Sequence, residues 1–543
     1  MRILFVIPPY FDTADFLQDN KNGVLPAFTI PYGILSLEAY LKAKCGENVK
    51  VSIMDLNLPL RDLIETGGAS EAACLETFNR LVFERMREFR PSIVGLSALF
   101  NSSYRYLEYL AKVIKAADQD TIVVSGGGLP SAAFKEILQT CPSIDAICKG
   151  EGEIPLVQLV NAENKMALLQ QHPSWITREG ILAGKVPTHM FVDDLDDISV
   201  LNYGIVNLDD YNSRSIDKRY IGIKKREMAI HTSRGCYFSC VFCSNSSIHG
   251  KKVRSMSVRR VIEEVRRMKE QFGLTVLLIE DDHFFFDKKR AKVILANLAQ
   301  YDIRIEFPNG IAVYAIDDEV GSLLKKAGVS TVALAVESGS DYVLSKIIKK
   351  PLKVTMVKEK VEILRKYGIL AHVFIVIGLP GEFAQHRQET IDLLINVGFD
   401  WAHIYCATPI VGSRLYDICI EKGYLANANM SDHVVTKAAI RAPGVDPEEI
   451  SEIAYEMNLK VNFVNNWNFR AGNYDTALSY FSNVISKYPN HAFGDYYLAE
   501  VYEAMGGHPD LVKKHRSHFN EVIKKDSFWR KYAEKFNLIT GVN

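Results

Sequence analysis

Three cysteines within eight residues, Cys236, Cys240 and Cys243, stand in the segment Ser233-Arg234-Gly235-Cys236-Tyr237-Phe238-Ser239-Cys240-Val241-Phe242-Cys243. Soft thiolate sulfur is the natural ligand of iron–sulfur centres and of zinc, and three thiolates on one short loop can converge on a cubane. A structural zinc site closes a four-coordinate shell with Cys or His, and the nearest residue able to close it is His249. With no fourth ligand, a [4Fe-4S] cluster keeps one iron open for chemistry. The other six of the nine cysteines (Cys45, Cys74, Cys141, Cys148, Cys406 and Cys419) are scattered singly, mostly in apolar contexts, which reads as core packing.

Such a loop needs a scaffold. From residue 226 to 440, apolar runs at 228–232, 276–279, 303–307, 331–336, 372–377 and 401–405 alternate with amphipathic stretches at 258–272, 289–300, 319–327 and 356–367. This pattern predicts a partial (β/α)6 barrel of the TIM type, and the cysteine loop follows its first strand, on the carboxyl-end face where such barrels carry out chemistry. Residues 1–165 show the same alternation, with strands expected at 3–7, 51–54, 93–96, 121–124 and 144–148 and helices at 35–43, 104–117 and 132–140. That predicts a doubly wound, Rossmann-like α/β domain, with Gly126-Gly127-Gly128 placed after a strand, where a parallel sheet binds its ligand.

Residues 166–225 read as a connector without a core, with a hairpin at 175–186 turning on Glu179-Gly180 and an acidic stretch at 193–197. Residues 441–543 are helical throughout. There Gly472, Tyr474, Ala477, Phe481 and Pro489, then Leu498, Ala499, Tyr502 and Gly506, fit tetratricopeptide (TPR)-like hairpins at a period of about 34 residues. An ordinary helical cap fits them too; a TPR-like unit would offer a surface to a protein partner.

The 543 residues are 48% hydrophobic and 24% charged with a net charge of -1, a composition of well-packed domains with no field to attract a polyanion. Nucleic acid and anionic membranes are therefore poor partners. The basic run Lys251-Lys252-Val253-Arg254, with Arg259-Arg260 and Arg266-Arg267, reads as a solvated helix face interrupted by Glu263 and Glu264. No apolar run approaches the roughly 20 residues of a membrane span, and the first residues lack a signal-peptide core, so a cytoplasmic location is expected.

With an aromatic before its last cysteine, the Cys-x-x-x-Cys-x-x-Cys loop resembles that of the radical S-adenosylmethionine (radical SAM) superfamily, over about residues 226–430. The resemblance implies that S-adenosylmethionine chelates the open iron, that an external donor supplies the electron cleaving it to a 5′-deoxyadenosyl radical, and that Phe242 lies against the adenine. It gives the cofactor's ammonium to Asp281 and Asp282 in Glu280-Asp281-Asp282, its ribose and methionine part to Glu337 and Ser338, and its adenine to Gly378 in Gly378-Leu379-Pro380-Gly381-Glu382. Each segment has a plainer reading as an acidic helix start, a polar turn or a tight strand-to-helix turn. Asn309 and Tyr405 are pocket candidates on position alone.

The N-terminal domain resembles those B12-binding domains that take cobalamin with its lower base detached, which carry Asp-x-His-x-x-Gly, Ser-x-Leu and Gly-Gly pieces. Ser97-Ala98-Leu99 and Gly126-Gly127 match the last two. Glycine lets a nucleotide tail approach the backbone, and a small hydroxyl residue leaves room for the displaced base. In Asp55-Leu56-Asn57-Leu58-Pro59-Leu60, however, Asn57 occupies the place of the cobalt-ligating His and Leu60 that of Gly. The resemblance then implies an open or water-bound lower face. Pro31-Tyr32-Gly33-Ile34 and Gly150-Glu151-Gly152-Glu153, including Glu151, resemble segments of the B12-dependent branch.

Together the two resemblances imply a cobalamin-dependent radical methyltransferase acting on an unactivated carbon of a small-molecule or peptide substrate. Cyclisation, rearrangement or oxidation by the same radical is the alternative within the class. A non-catalytic iron–sulfur scaffold is the alternative outside it. A methylthiotransferase would need three further grouped cysteines, which the N-terminal domain does not have.

Overall fold

The computed structural model describes residues 1–10, 28–211, 225–427, 429, 433 and 437–539. The N-terminal sheet runs β1 (Arg2–Ile7), β2 (Lys50–Asp55), β3 (Ile93–Ser97), β4 (Ile122–Gly126), β5 (Ala146–Cys148) and β6 (Trp175–Ile176), in the order β2-β1-β3-β4-β5-β6. All neighbours are parallel except β5 and β6. The runs Ile3–Ile7 and Ile93–Leu96 are apolar throughout because helices cover both faces of the sheet, and Ile3, Leu4, Val6, Ile93, Val94 and Leu96 are fully buried. The order reverses direction between β1 and β3, so a crevice opens beyond their carboxyl ends. The Ser97-Ala98-Leu99 and Gly126-Gly127-Gly128 loops leave the sheet beside it.

Two expectations for residues 166–225 fail. In place of the hairpin, Trp175–Ile176 adds an antiparallel edge strand to the N-terminal sheet, and Glu179-Gly180 lies within a short helix, Arg178–Leu182, whose start is capped by the Thr177 side chain. The described connector is also no bare linker, because Val192, Leu195, Ile198, Leu201, Tyr203 and Tyr211 are buried in the same core as the barrel strands. Residues 212–224 of that segment lie outside the described residues.

The barrel contributes β7 (Glu227–Ile230), a short antiparallel stem of β8 (Ser233–Arg234) and β9 (Arg254–Ser255), then β10 (Val276–Ile279), β11 (Arg304–Glu306), β12 (Thr331–Glu337), β13 (Leu370–Ile377) and β14 (Trp401–Cys406). Its six main strands form two parallel three-stranded sheets, β7-β10-β11 and β12-β13-β14. Among the described residues a single β-bridge joins them, in which Ile311 donates to Ala333 O at 2.8 Å and accepts from Ala335 N at 3.1 Å.

An open barrel leaves an edge strand, and unpaired edges need covering. At β14, the Asn462 carboxamide, 2% exposed, takes the place of a neighbouring strand: it accepts from Ala402 N and donates to Ala402 O, both at 2.8 Å. Asn462 continues the helix Pro447–Leu459, which leads into the C-terminal hairpins Tyr474–Lys487, Ala492–Met505, Pro509–Lys525 and Ser527–Lys535. Ala477 and Phe481 are fully buried in a separate aromatic core there. Asn462→Leu strands both Ala402 groups, at about 1–3 kcal/mol for each buried orphan. Calorimetry of this variant is expected to show the barrel transition several degrees lower; an unchanged midpoint would mean that β14 is held by other contacts.

Candidate active site

The cysteine loop leaves the carboxyl end of β7 and is held by bonds from the protein itself. Gly235 has φ +93, and a Cβ there would lie 2.6 Å from Lys252 O, so only glycine lets the two arms of the stem approach. Cys243 N donates to Cys240 O at 3.0 Å, Val241 N to Ile348 O at 3.0 Å, and Leu415 N to Val241 O at 2.7 Å. These bonds moor the middle of the loop to the far side of the barrel. Cys236 and Cys240 are half-buried and Cys243 is exposed.

The two carboxylates expected to meet the cofactor's ammonium also brace this loop. Asp281, 3% exposed, accepts from Thr232 N and Thr232 Oγ1 at 2.6 Å and from Ser233 Oγ at 2.5 Å. Burial pushes its carboxyl up, and the Ser233 and Thr232 hydrogen bonds pull against that. Asp282 accepts from Gly235 N at 2.9 Å.

On its other flank the loop is gripped by the N-terminal domain. Arg254 of β9 makes two bonds to Glu151, at 2.6 and 2.8 Å, and Arg234 of β8 meets Glu153 at 2.8 Å and Glu151 at 3.3 Å. Ser36 accepts from Arg234 and donates to Glu153, and His249 Nδ1 sits 2.8 Å from Glu151. All but His249 are buried. Burial alone would raise the Glu151 carboxyl, but Arg234 and Arg254 hold it well below the usual carboxylate range. This corrects the solvated reading of the basic run at Arg254, which is 3% exposed and lies 4.3 Å over the Phe191 ring. Arg260 and Arg267 likewise turn inward to the buried Glu264.

Further around the face, Glu337 ends β12 in left-handed backbone, φ +72, a conformation that costs a non-glycine residue roughly 1–3 kcal/mol. Its Oε1 meets Lys350 Nζ at 2.9 Å. Burial raises the Cys236 and Cys240 thiols, and the Lys350 charge pulls against that at both. Lys350 is the functional candidate that sequence reasoning missed, since one lysine among many carries no signal of its own. Ser338 is fully buried and spends its hydroxyl on Ser340 N and Thr390. Phe242 is partly buried against the barrel core. Gly378, φ +83, has its amide held by Glu382 and its α-carbon covered by Ile450, which a Cβ would meet at 2.7 Å. Asn309 donates to Glu280 O at 2.9 Å, and Tyr405 faces the lumen.

At the crest of the N-terminal sheet, Gly127 has φ +98, and a Cβ there would lie 2.5 Å from Ala98 O, so the glycine loop and the Ser97-Ala98-Leu99 loop pack backbone to backbone. A Cβ on Gly126 would meet nothing closer than 3.9 Å. Leu99 and Phe100 are 54% and 51% exposed beside it, an apolar ledge suited to a flat macrocycle. Asn57 is fully buried, accepting from Tyr10 N at 2.8 Å and donating to Asp55 and Pro8 O, so its amide is committed to the fold. Ile248, five residues after Cys243, occupies the space over Gly128 of the crest, where an added Cβ would lie 3.2 Å from its Cδ1.

The donor sets fit both groups. His249, the nearest residue able to close a zinc shell, is engaged with Glu151. Three soft thiols with no fourth ligand suit a multi-iron cluster.

The comparisons with known proteins agree. The Radical SAM superfamily model matches residues 230–394, and the B12 binding domain model matches residues 22–160. The chain therefore belongs to the radical SAM enzymes that carry an N-terminal B12-binding domain. It is 27% identical over 406 residues to cytidylyl-2-hydroxyethylphosphonate methyltransferase of Streptomyces wedmorensis, covering 69% of this chain and 76% of that one. It is 27% identical over 453 residues to an uncharacterised methyltransferase of Pyrococcus horikoshii, covering 83% and 90%. The cobalamin-dependent S-adenosylmethionine radical enzyme OxsB, solved with aqua-cobalamin bound, has the same fold at TM-score 0.64 and 14% identity, over 100% of this chain and 82% of that one.

Glu382 tests how tightly the Gly378 turn is built. It is fully buried, and burial raises its carboxyl to about 7 against the pull of the Gly378 amide and Arg387. A carboxyl raised on folding stabilises fully below its unfolded value near 4.5, and that contribution is lost as pH rises through about 7. Urea unfolding between pH 5 and 8 is expected to show Glu382→Gln gaining up to roughly 3 kcal/mol on the wild type across this window. Parallel curves would refute it.

Proposed function

We propose that this protein is a cobalamin-dependent radical SAM methyltransferase that methylates an unactivated carbon of a small-molecule or peptide substrate. One observation carries the reading: a three-cysteine loop braced on the barrel's carboxyl face has its stem tied, through Arg234 and Arg254, to Glu151 and Glu153 of a B12-binding domain. When bound, the cluster supplies the electron that cleaves S-adenosylmethionine, and cobalamin supplies a methyl carrier. Cys236, Cys240 and Cys243 would hold the first, and the loops around Ser97, Leu99, Gly126 and Gly127 the second. Asp281 and Asp282 keep the cysteine loop in shape, while Glu151 and Glu153 fix it against the crest. Lys350 offers a cation to the carboxylate of S-adenosylmethionine, and Glu337 orients that cation. An external one-electron donor completes the system. Two relatives with methyltransferase names support methyl transfer over the other radical outcomes.

Anaerobic reconstitution with iron, sulfide and cobalamin tests this directly. The wild type is expected to bind about four irons, as a cubane requires, and to show a corrinoid absorption band. With strong reductant and a substrate that turns over, it should release both 5′-deoxyadenosine and S-adenosylhomocysteine. 5′-Deoxyadenosine alone would leave a radical enzyme of another outcome, and neither product would leave the scaffold reading. Cys240→Ala should lose iron and both products. Lys350→Met should keep its iron but bind S-adenosylmethionine at least about tenfold more weakly, equivalent to about 1.4 kcal/mol.

A further inference from the structure

Strands β12, β13 and β14 turn alternate side chains outward to the helices and inward to the barrel, and the two faces are filled differently. Outward, Val332, Leu334, Val373, Ile375, Ile377 and Ala402 are at most 1% exposed. Inward, His372, Phe374, His403 and Tyr405 are only half-buried, so this side of the lumen is hollow where a TIM barrel would be packed in layers.

The wall of that hollow is aromatic. Phe374 lies 5.5 Å from the His403 ring and 6.0 Å from Tyr405, and His403 and Tyr405 are 6.5 Å apart and nearly parallel at 9°. The floor comes from outside the barrel. Tyr480, on the C-terminal helix Tyr474–Lys487, stacks on Trp401 at 5.3 Å and places its hydroxyl 2.7 Å from His372 Nε2. His372 Nδ1 in turn lies 3.2 Å from His403 Nε2.

The direction of this chain follows from acidity. Burial drives the His372 imidazolium down to about 3 and lowers that of His403, so both rings are neutral and each carries one N–H. A phenol is a stronger donor than a neutral imidazole N–H, and an imidazole nitrogen is the better acceptor. On that ranking Tyr480 O–H is assigned as the donor to His372 Nε2, and His372 Nδ1–H as the donor to His403 Nε2. The remaining proton of His403 sits on Nδ1, which has no hydrogen-bond partner among the described residues. A ligand that supplies an acceptor here gains a hydrogen bond that the fold itself does not make.

We propose that the lumen floor is a substrate-recognition site, in which His403 Nδ1–H donates to an uncharged oxygen or nitrogen acceptor carried by an aromatic or heteroaromatic group stacked against Phe374 and Tyr405. An anionic group is the poorer match, because His372, His403, Tyr480, Phe374 and Tyr405 include no cation. The site rests on the radical reading of the barrel mouth, which it would serve by holding a carbon of the substrate below the cysteine loop. His403 itself touches neither the cysteines nor the glycine crest.

Benzamide, an uncharged aromatic acceptor, is the probe, and its affinity for the reconstituted holoenzyme is read by saturation-transfer NMR titration. The wild type should bind it, and cyclohexanecarboxamide at least tenfold more weakly. His403→Leu should weaken benzamide at least tenfold, and His403→Gln, which restores a donor, should recover most of the loss. No binding to the wild type, or equal affinity in His403→Leu, would overturn the proposal. A purely structural His–His–Tyr chain would lower thermal stability and leave benzamide affinity unchanged. If His403→Leu does not fold, Phe374→Leu, which removes a stacking ring and spares the hydrogen-bond chain, carries the same tenfold criterion. Separately, the wild type should cleave S-adenosylmethionine with strong reductant in the absence of substrate. If the wild type itself fails to do so, the radical reading falls, while the benzamide result still stands or falls alone.

Discussion

Two guanidiniums and two carboxylates, all buried, meet where the N-terminal sheet touches the barrel: Arg234 and Arg254 from the stem of the cysteine loop, Glu151 and Glu153 from the loop after β5. Taking such charges out of water is costly, and a buried ion pair is weak evidence for net stability. What it does supply is position. Each ion is compensated only in one arrangement, with Arg254 bidentate on Glu151 and Arg234 shared among Glu151, Glu153 and Ser36. Any sliding of one domain on the other would strand a charge, so the relative placement of crest and cysteine loop is fixed far more sharply than apolar contact would fix it.

That constraint propagates. The same stem is held from the barrel side by Asp281 and Asp282, so the loop is clamped between the carboxyl end of β10 and the N-terminal domain. Gly150 must stay glycine for this, since a Cβ there would meet His189 at 2.6 Å and Ile248 O at 2.9 Å. Chemistry that passes a group between two cofactors requires them at a set separation, because misplacement by a fraction of an ångström degrades a reactive geometry. Here the ion pairs of the scaffold hold the cysteine loop against the B12-binding domain.

Much of this was legible in the sequence. Four of the barrel's helices and all six of its main strands lie close to where apolar periodicity puts them, because each element is buried on one face and its pattern reports that face. The cysteine loop was legible because three cysteines at that spacing have few other uses. The ionic junction was not. Glu151 resembled part of a cofactor loop and Arg254 part of a solvated helix, since Arg and Glu are ordinarily surface residues and nothing local distinguishes a buried pair. Asn57 stands where a ligand would, yet tertiary hydrogen bonds to Asp55, Tyr10 and Pro8 employ it in the fold. The connector was misjudged for a related reason: its apolar residues have no regular period, and only the barrel they pack against reveals them as core.

The open barrel explains why so much of the site lies outside it. Two three-stranded sheets joined by a single bridge cannot close a lumen or protect an edge by themselves. The edge of β14 is completed by Asn462, the amino end of the lumen by Tyr480, and the mouth by the N-terminal domain, each from a segment that is no part of the barrel. Initiation and recognition are thereby built from separable pieces. The cysteine loop is braced by residues that do not reach the lumen floor, and the floor rests on a helix that does not reach the cysteines. A change at Tyr480 or His403 can alter what fits inside without disturbing the loop above, whereas a change at Glu151 or Asp281 alters the loop whatever the substrate.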